Sequence, residues 1–332
     1  MITTQDNKFI IITKRFIGPI LLTLPLLFIG VFFGPLDSSF GETFKTLISL
    51  DNNVNHIIIW DIRITRVIVS FLVGSMLGLA GFLIQLSTKS PLGDPNLFGI
   101  GGGATIFLGA AYGGALSVTN PTLFLGCISA SFAVAIILLR LIAVPNLTPI
   151  KLAIMGIAVG ALTISISTAF ISHGTVFPAQ LVGIISGSFI TSDWNRIYYL
   201  TPVLLLCLGI SIAIAKHFLP IMLGDPIAKS LGVNPIKLRA LSMALAGILT
   251  GAAVYAAGII GFIGLIAPHI SRKLFGNSAY LTLLGSVFVG GYITLLSDQI
   301  GRLVLAPAEI PVGLTTSILG APTMMYVALK LR

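Results

Sequence analysis

Apolar residues fall along this chain in long blocks separated by short polar punctuation. A helix crossing the hydrocarbon core of a bilayer needs about 20 mostly apolar residues. Blocks of that kind lie near 16–34, 65–87, 97–116, 121–142, 151–172, 196–218, 238–257, 259–271, 280–303 and 310–329. The pattern predicts an all-α polytopic membrane protein with about ten transmembrane helices, forming one domain over residues 1–332. The 259–271 block is short and glycine-rich, so hydropathy by itself gives nine or ten. The two longest polar connections are 35–64 and 219–237. The opening MITTQDNKFIIITKRF has no small-residue cleavage site, so the first block is expected to be a retained span.

Composition agrees with this pattern. The 332 residues are 56% hydrophobic and 9% charged, with mean hydropathy +1.05, whereas soluble domains carry about 25% charged residues. A net charge of +9 is open to a nucleic-acid reading, but in a membrane protein excess Lys and Arg marks cytoplasmic loops. An even number of spans leaves both termini on one side. With that side cytoplasmic, the inner regions hold fourteen of the nineteen basic residues and the outer regions five: Lys45, Arg63, Arg66, Arg196 and Arg302. The count favours cytoplasmic termini. It also puts the arginines of IIIWDIRITRVIVS (57–70) on the outer face, where basic residues are scarce. The 36 glycines include the spacings Gly74/Gly78, Gly99/Gly103, Gly156/Gly160 and Gly183/Gly187, which suit close helix packing in lipid.

Catalytic constellations are missing from the sequence. It holds no GxxxxGK[ST] phosphate loop, HExxH pair or GxSxG elbow. His56, His173, His217 and His269 are scattered, and Cys127 and Cys207 lie inside apolar blocks as packing residues. No catalytic residue, metal site or cofactor is expected. Charges within spans are functional candidates by default. Asp298 and Arg302, four apart in the ninth block, are placed to pair, with Glu309 following. So few intramembrane acids argue against a proton relay, while a sodium site of carbonyls and hydroxyls stays open. Two stretches, KSPLGDPNLFGIGGGA (89–104) and GIIGFIGLIAPHISR (258–272), interrupt their helices with proline and glycine. Such breaks fit either a translocation path or a tight bundle. In the inner connection, DPIAKSLGV offers Asp225 as N-cap, Pro226 at N1 and Gly232 as C-cap. This predicts a short helix, either a contact surface or an ordinary loop helix.

Several motifs recur in order: RITR (63–66), GSMLGLAGFLIQ (74–85), SPLGDPNLFGIGGGA (90–104), LGDPIAKSLGV (223–233), GIIGFIGLIAPHISR (258–272), DQIGR (298–302) and EIPVGLTTSILGAP (309–322). Over roughly residues 57–332 the chain resembles the permease subunits of type II ABC importers for iron-siderophores, haem and cobalamin, the FecCD/BtuC-like family. The resemblance implies a bacterial cytoplasmic-membrane permease that pairs with a second, identical or paralogous permease. It also implies two cytoplasmic ATPase subunits and an extracytoplasmic substrate-binding protein. Coupling to the ATPase would fall to Gly224, Asp225, Ala228, Leu231 and Gly232 within the 219–237 loop. Docking of the binding protein would fall to Arg63, Arg66 and Arg302, whose forks suit carboxylates, with snorkelling beside lipid headgroups as the plainer alternative. The cargo implied first is a ferric siderophore, with haem or cobalamin as alternatives. Ser165, Ser167, Thr168 and Ser172 are candidates to line the path, although such hydroxyls often bond their own helix. Two departures stand out: Thr65 where the family often has proline, and Ile184 where it often has tryptophan. Rival classes are an ion-gradient-driven secondary transporter and an integral-membrane enzyme.

Overall fold

The computed structural model describes residues 23–33, 40–48, 54–142, 149–173, 183–276, 278–306 and 308–330. Among these every regular element is helical. In chain order they are α1 (Thr23–Phe32), α2 (Phe40–Ile48), α3 (Val54–His56), a π-helical stretch Ile57–Ile64, α4 (Thr65–Thr88), α5 (Ile100–Tyr112), α6 (Asn120–Ile142) and α7 (Pro149–His173). A single turn, α8 (183–186), follows. Then come α9 (Trp194–Ile214), α10 (Phe218–Leu223), α11 (Asp225–Ser230), α12 (Pro235–Ala257), α13 (Ile263–Phe275), α14 (Ala279–Leu303) and α15 (Val312–Lys330). Among the described residues, six helical runs are long and apolar enough to cross a membrane: Val54–Thr88, Asn120–Ile142, Ile154–Ser172, Trp194–Leu223, Pro235–Ala257 and Ala279–Leu303. The blocks 97–116, 259–271 and 310–329 overlap α5, α13 and α15, and α1 lies in the 16–34 block, of which residues 16–22 and 34 lie outside the described residues.

The bundle is organised around α4, nearly all of whose residues are buried. It packs most extensively against α14, then α12 and α13. Small residues make this possible. A Cβ at Gly74 would overlap the Gly290 carbonyl, one at Gly78 the Ser286 carbonyl, and one at Gly81 the Gly264 carbonyl. The two backbones therefore touch, which is how helices gain dispersion where lipid competes equally for apolar side chains. The helices α7 and α9, by contrast, keep much of their apolar surface open.

The two interrupted stretches meet inside the protein. Lys89 ends α4 with a left-handed backbone, and residues 90–99 turn beneath the unwound 258–262. Asn96 Nδ2 donates to the Ile260 carbonyl at 2.7 Å. Gln85 Nε2 reaches the Gly93, Gly264 and Leu265 carbonyls at 3.4 Å each, and Arg272 donates to Gln85 Oε1 at 2.9 Å. The breaks thus satisfy one another, as backbone at membrane depth must.

One part of the sequence reading needs correction. The 35–64 connection is helical at Phe40–Ile48 and again from Val54, where α3, the π stretch and α4 run on without a break. Thr65, where the family often has proline, lies within this continuous helix. Its hydroxyl is buried and donates to the Asp61 carbonyl at 2.6 Å, closing the π segment. π-Helices are rare and mark places where a helix surface is re-aimed.

Candidate functional site

Positive charge gathers at one end of the bundle, but the guanidiniums turn inward. Arg66 on α4 lies between two carboxylates. Its Nε and Nη2 donate to Asp298 of α14 at 2.8–3.2 Å, and its Nη1 donates to Glu309 at 2.9–3.1 Å. Asp298 is fully enclosed, while Glu309 keeps about a fifth of its side chain exposed. Arg63 Nη1 donates to the Val31 carbonyl at 3.1 Å and the Phe32 carbonyl at 3.4 Å. Arg302 reaches the Gly30 and Phe33 carbonyls at 3.4 Å each. Those four carbonyls close the last turn of α1, the negative end of its dipole, where cations are favoured. Two corrections follow. Arg63, Arg66 and Arg302 are buried rather than presented as exposed rim charges. Asp298 pairs with Arg66 and not with its neighbour four residues on. The helical spacing put Asp298 and Arg302 on one face, but Asp298 pairs with Arg66 of α4 while Arg302 turns to the carbonyls of α1.

Asp61, in the π stretch beside these arginines, accepts from the Trp194 indole at 3.1 Å. That bond ties the start of the long helix to the start of α9. Asp193 caps α9 by accepting from the Arg196 amide at 3.0 Å. Arg196 itself donates to the Thr191 hydroxyl at 2.7 Å and the Ala256 carbonyl at 2.8 Å, with its guanidinium carbon 5.9 Å from the Tyr255 ring centre. Tyr255, Phe124 and Tyr199 form an aromatic cluster with Phe124 in contact with both tyrosines at 5.1 Å.

Residues 183–190 lie between two cavities. One, of about 210 Å³, lies among Leu108, Tyr112, Ile184, Arg196 and Tyr255. The other, of about 250 Å³, opens onto Arg66, Asp298 and Glu309. Between them, Ser188 donates to the Ala257 carbonyl at 2.8 Å and Val312 to the Gly187 carbonyl at 3.2 Å. Gly187 and Gly258 both take positive φ there, +72° each, and a Cβ at Gly258 would overlap the Gly183 carbonyl. Only glycine fits that turn. The Gly183/Gly187 spacing thus serves a turn, not a helix–helix seam.

At the opposite end α10 and α11 form the predicted short element. Gly232 caps α11 at φ +76°, with Val233 donating to the Ala228 carbonyl at 2.9 Å and Gly232 to the Lys229 carbonyl at 3.0 Å, a Schellman closure. The other terminus differs from expectation. Asp225 makes no side-chain cap, and the residue before it, Gly224, opens the helix at φ +120°. The Asp225 carboxylate instead binds Lys89 at 2.9 Å and Arg239 at 2.5 Å. Its burial opposes ionisation, yet the Lys89 hydrogen bond and the Arg239 charge win and hold its pKa below the usual carboxylate range. Ala228 is fully buried against the bundle, while Leu231 is exposed. Around it Leu219, Met222, Leu223, Ile227 and Ile236 are exposed as well. Phe218, at the start of α10, packs edge-on against Phe82 of α4 at 5.7 Å.

The four hydroxyls of α7 divide. Ser165, Thr168 and Ser172 donate to their own helix carbonyls at Ala161, Ile164 and Thr168. Ser167 is buried and donates to the Thr105 carbonyl of α5 at 2.6 Å. Among the described residues there is no group of His, Cys, Asp and Glu able to hold a metal ion.

With this geometry in place, comparison with known proteins decides the family. Residues 21–330 match the FecCD transport family. The chain belongs to that family. Among curated relatives, the Fe(3+)-citrate import system permease protein YfmD of Bacillus subtilis is 32% identical, aligned over 90% of this chain and 89% of its own. The iron(3+)-hydroxamate import system permease protein FhuG of the same organism is 30% identical over 98% and 99%. The vitamin B12 import system permease protein BtuC of Salmonella arizonae is 33% identical over 82% and 83%. A solved metal-chelate type ABC transporter in an inward-facing conformation superposes with a TM-score of 0.81 at 27% identity, covering 96% of this chain and 100% of that one. This FecCD chain is therefore a membrane-embedded ABC importer permease, a class whose members are not themselves enzymes. Membership sets aside the secondary-transporter and membrane-enzyme alternatives.

Sequence reasoning missed several residues that organise the FecCD chain's two ends. Lys89 and Arg239 were counted only among the inner basic residues and Arg196 among the outer ones, and Trp194 drew no reading. Their partners lie more than ten residues away in each case that matters, and no local spacing announces them.

Proposed function

We propose that this chain is one of two permease subunits of an ATP-driven importer that carries a ferric siderophore across a bacterial cytoplasmic membrane. In this reading residues 1–332 form a single domain of ten spans with both termini cytoplasmic. An external binding protein delivers the chelate, and two separate ATPase subunits act from inside. The observation that carries the reading is the 219–237 element. Its helix α11 is clamped to α4 and α12 through Asp225, yet it presents apolar side chains that the bundle leaves open. A surface so held and so apolar suits a protein partner. Gly224, Asp225, Ala228, Leu231 and Gly232 would transmit the partner's movement. Gly224 and Gly232 set its ends, Asp225 and Ala228 anchor it, and Leu231 makes contact.

At the far end, Arg66, Asp298 and Glu309 line one cavity, and Arg302 lies close enough to feel their charges and that of Arg63. That clustering supports docking of an acidic partner near Arg63, Arg66 and Arg302, whose guanidiniums exchange internal carboxylates and carbonyls for external ones. Ser165, Thr168 and Ser172, on the open face of α7, would line the route together with the cavities flanking residues 183–190. Iron-chelate relatives favour a ferric siderophore or ferric citrate as cargo. The vitamin B12 permease among the relatives supports cobalamin as the second reading.

The test is reconstitution with the partner subunits in vesicles, supplying ferric hydroxamate, ferric citrate or cobalamin with the cognate binding protein. ATP-dependent accumulation of a ferric chelate is expected. Accumulation of cobalamin alone would replace the cargo. No ATP-dependent uptake of any of them would overturn the reading.

A further inference from the structure

The short helix α2 carries an apolar face that the bundle does not cover. Phe40, Phe44 and Ile48 recur every four residues and so line one side of the helix. They are 59%, 54% and 71% exposed. The adjoining flank does the packing: Thr43 is fully buried, and the helix rests there against α3 and the π stretch. Lys45, about 100° round the helix from Phe44, is exposed. The helix therefore has three sectors, one against protein, one apolar and open, one polar and open. A soluble surface does not normally keep phenylalanines in such a row.

What covers that face follows from its continuity with α1. The Phe40 ring stacks on Phe32 at 4.8 Å and lies 5.9 Å from Phe28, while Phe28 and Phe32 stack at 4.2 Å. Phe28 and Leu24 continue the open face along α1. That face belongs to a membrane-embedded permease and so meets acyl chains. The row of rings carries the same surface from α1 onto α2 at the level where Arg63 and Arg302 close the α1 carbonyls. Charged groups are costly deep in the hydrocarbon layer, so two arginines at that height place the end of α1 near its edge.

We propose that α2 is an interfacial helix lying flat at the headgroup boundary, with Phe40, Phe44 and Ile48 inserted among acyl chains and Lys45 facing water. This orientation matches that of amphipathic helices bound in the plane of a membrane. Its role is to fix the depth and tilt of α1 and of the long helix beginning at Val54, through the packing of Thr43.

Site-directed spin labelling of the full chain tests this, in phosphatidylethanolamine–phosphatidylglycerol vesicles with its partner subunits. Nitroxides are placed singly at Phe44→Cys, Ile48→Cys and Lys45→Cys, against a parent in which Cys127 and Cys207 are buried and give the background. The ratio of oxygen to nickel-chelate accessibility is expected to be severalfold higher at positions 44 and 48 than at 45. Equal ratios at all three would overturn the proposal. So would accessibility at 44 that falls only when the binding protein is added, or dipolar broadening from a second copy, since each names a protein as the occupant.

Discussion

Removing the charge of Asp298 probes the buried ionic cluster most directly. Asp298→Asn keeps the shape of the side chain but takes one carboxylate from an Arg66 guanidinium bound through both its Nε and Nη2 edges. Three cations then face one carboxylate, Glu309, where two had served. Breaking a buried pair by removing one partner costs about 3–5 kcal/mol, because the other charge stays behind uncompensated. An exposed pair would cost about 0.2–1 kcal/mol. The 2% exposure of the Asp298 side chain selects the larger range. The charge-free combination Arg66→Met with Asp298→Leu should recover most of the loss, since buried pairs replaced by packed apolar groups are often neutral. Reversible unfolding of the purified protein in mixed micelles, followed by helical circular dichroism, measures all three variants. A cost below 1 kcal/mol for Asp298→Asn, or a double variant weaker than the single one, would refute the reasoning.

Other consequences are open to test. Asp225→Asn should cost little stability, about 1 kcal/mol or less because the pairs are partly exposed, yet lower the ratio of substrate imported to ATP hydrolysed in reconstituted vesicles. The folded Asp225 pKa is depressed, so its contribution is present above the unfolded value near 3.9 and lost as pH falls through the lower folded value. Import per ATP should accordingly hold level between pH 5 and 8 wherever this clamp sets it. Gly78→Ala should cost about 1–3 kcal/mol by overpacking, whereas Gly209→Ala, with nothing near its Cβ, should be neutral or stabilising by up to about 1 kcal/mol; equal effects in the unfolding assay would count against the backbone seam. Arg302→Gln should weaken α1 attachment, seen as faster proteolysis near its end, while Arg302→Lys retains part of it.

Span positions were legible because twenty apolar residues in a row have few other uses. The blocks at 65–87, 121–142, 238–257 and 280–303 match α4, α6, α12 and α14 closely. Residues 35–64 were harder: Val54 to Ile64 is a helix whose apolar run is broken by His56, Asp61 and Arg63, and its π geometry leaves no sequence period to detect. Gly232 was readable since positive φ selects glycine. Asp225 was misread because an N-cap and an ion-pair partner look alike until Lys89 and Arg239, set far off in the chain, are brought alongside. For Arg63, Arg66 and Arg302 the charge count predicted a common outer face, and the structure brings the three together at one end of the bundle. The count carried no information on which way each side chain rotates, and that was decided by the open carbonyls of α1 and the carboxylates of Asp298 and Glu309.

The seam between α4 and α14 also limits how the molecule can move. Its contacts at Gly74, Gly78 and Gly290 are backbone against backbone, so no side-chain rotation can let the two helices slide, and Arg66 pins them again at one end. Any cycle of opening and closing must carry them as one stiff keel. Bending is left to the lightly packed α7 and α9 and to the glycine-hinged residues 183–190, which have empty space on both sides. Probes meant to report transport belong on those elements, and probes on the keel will register only its travel as a whole.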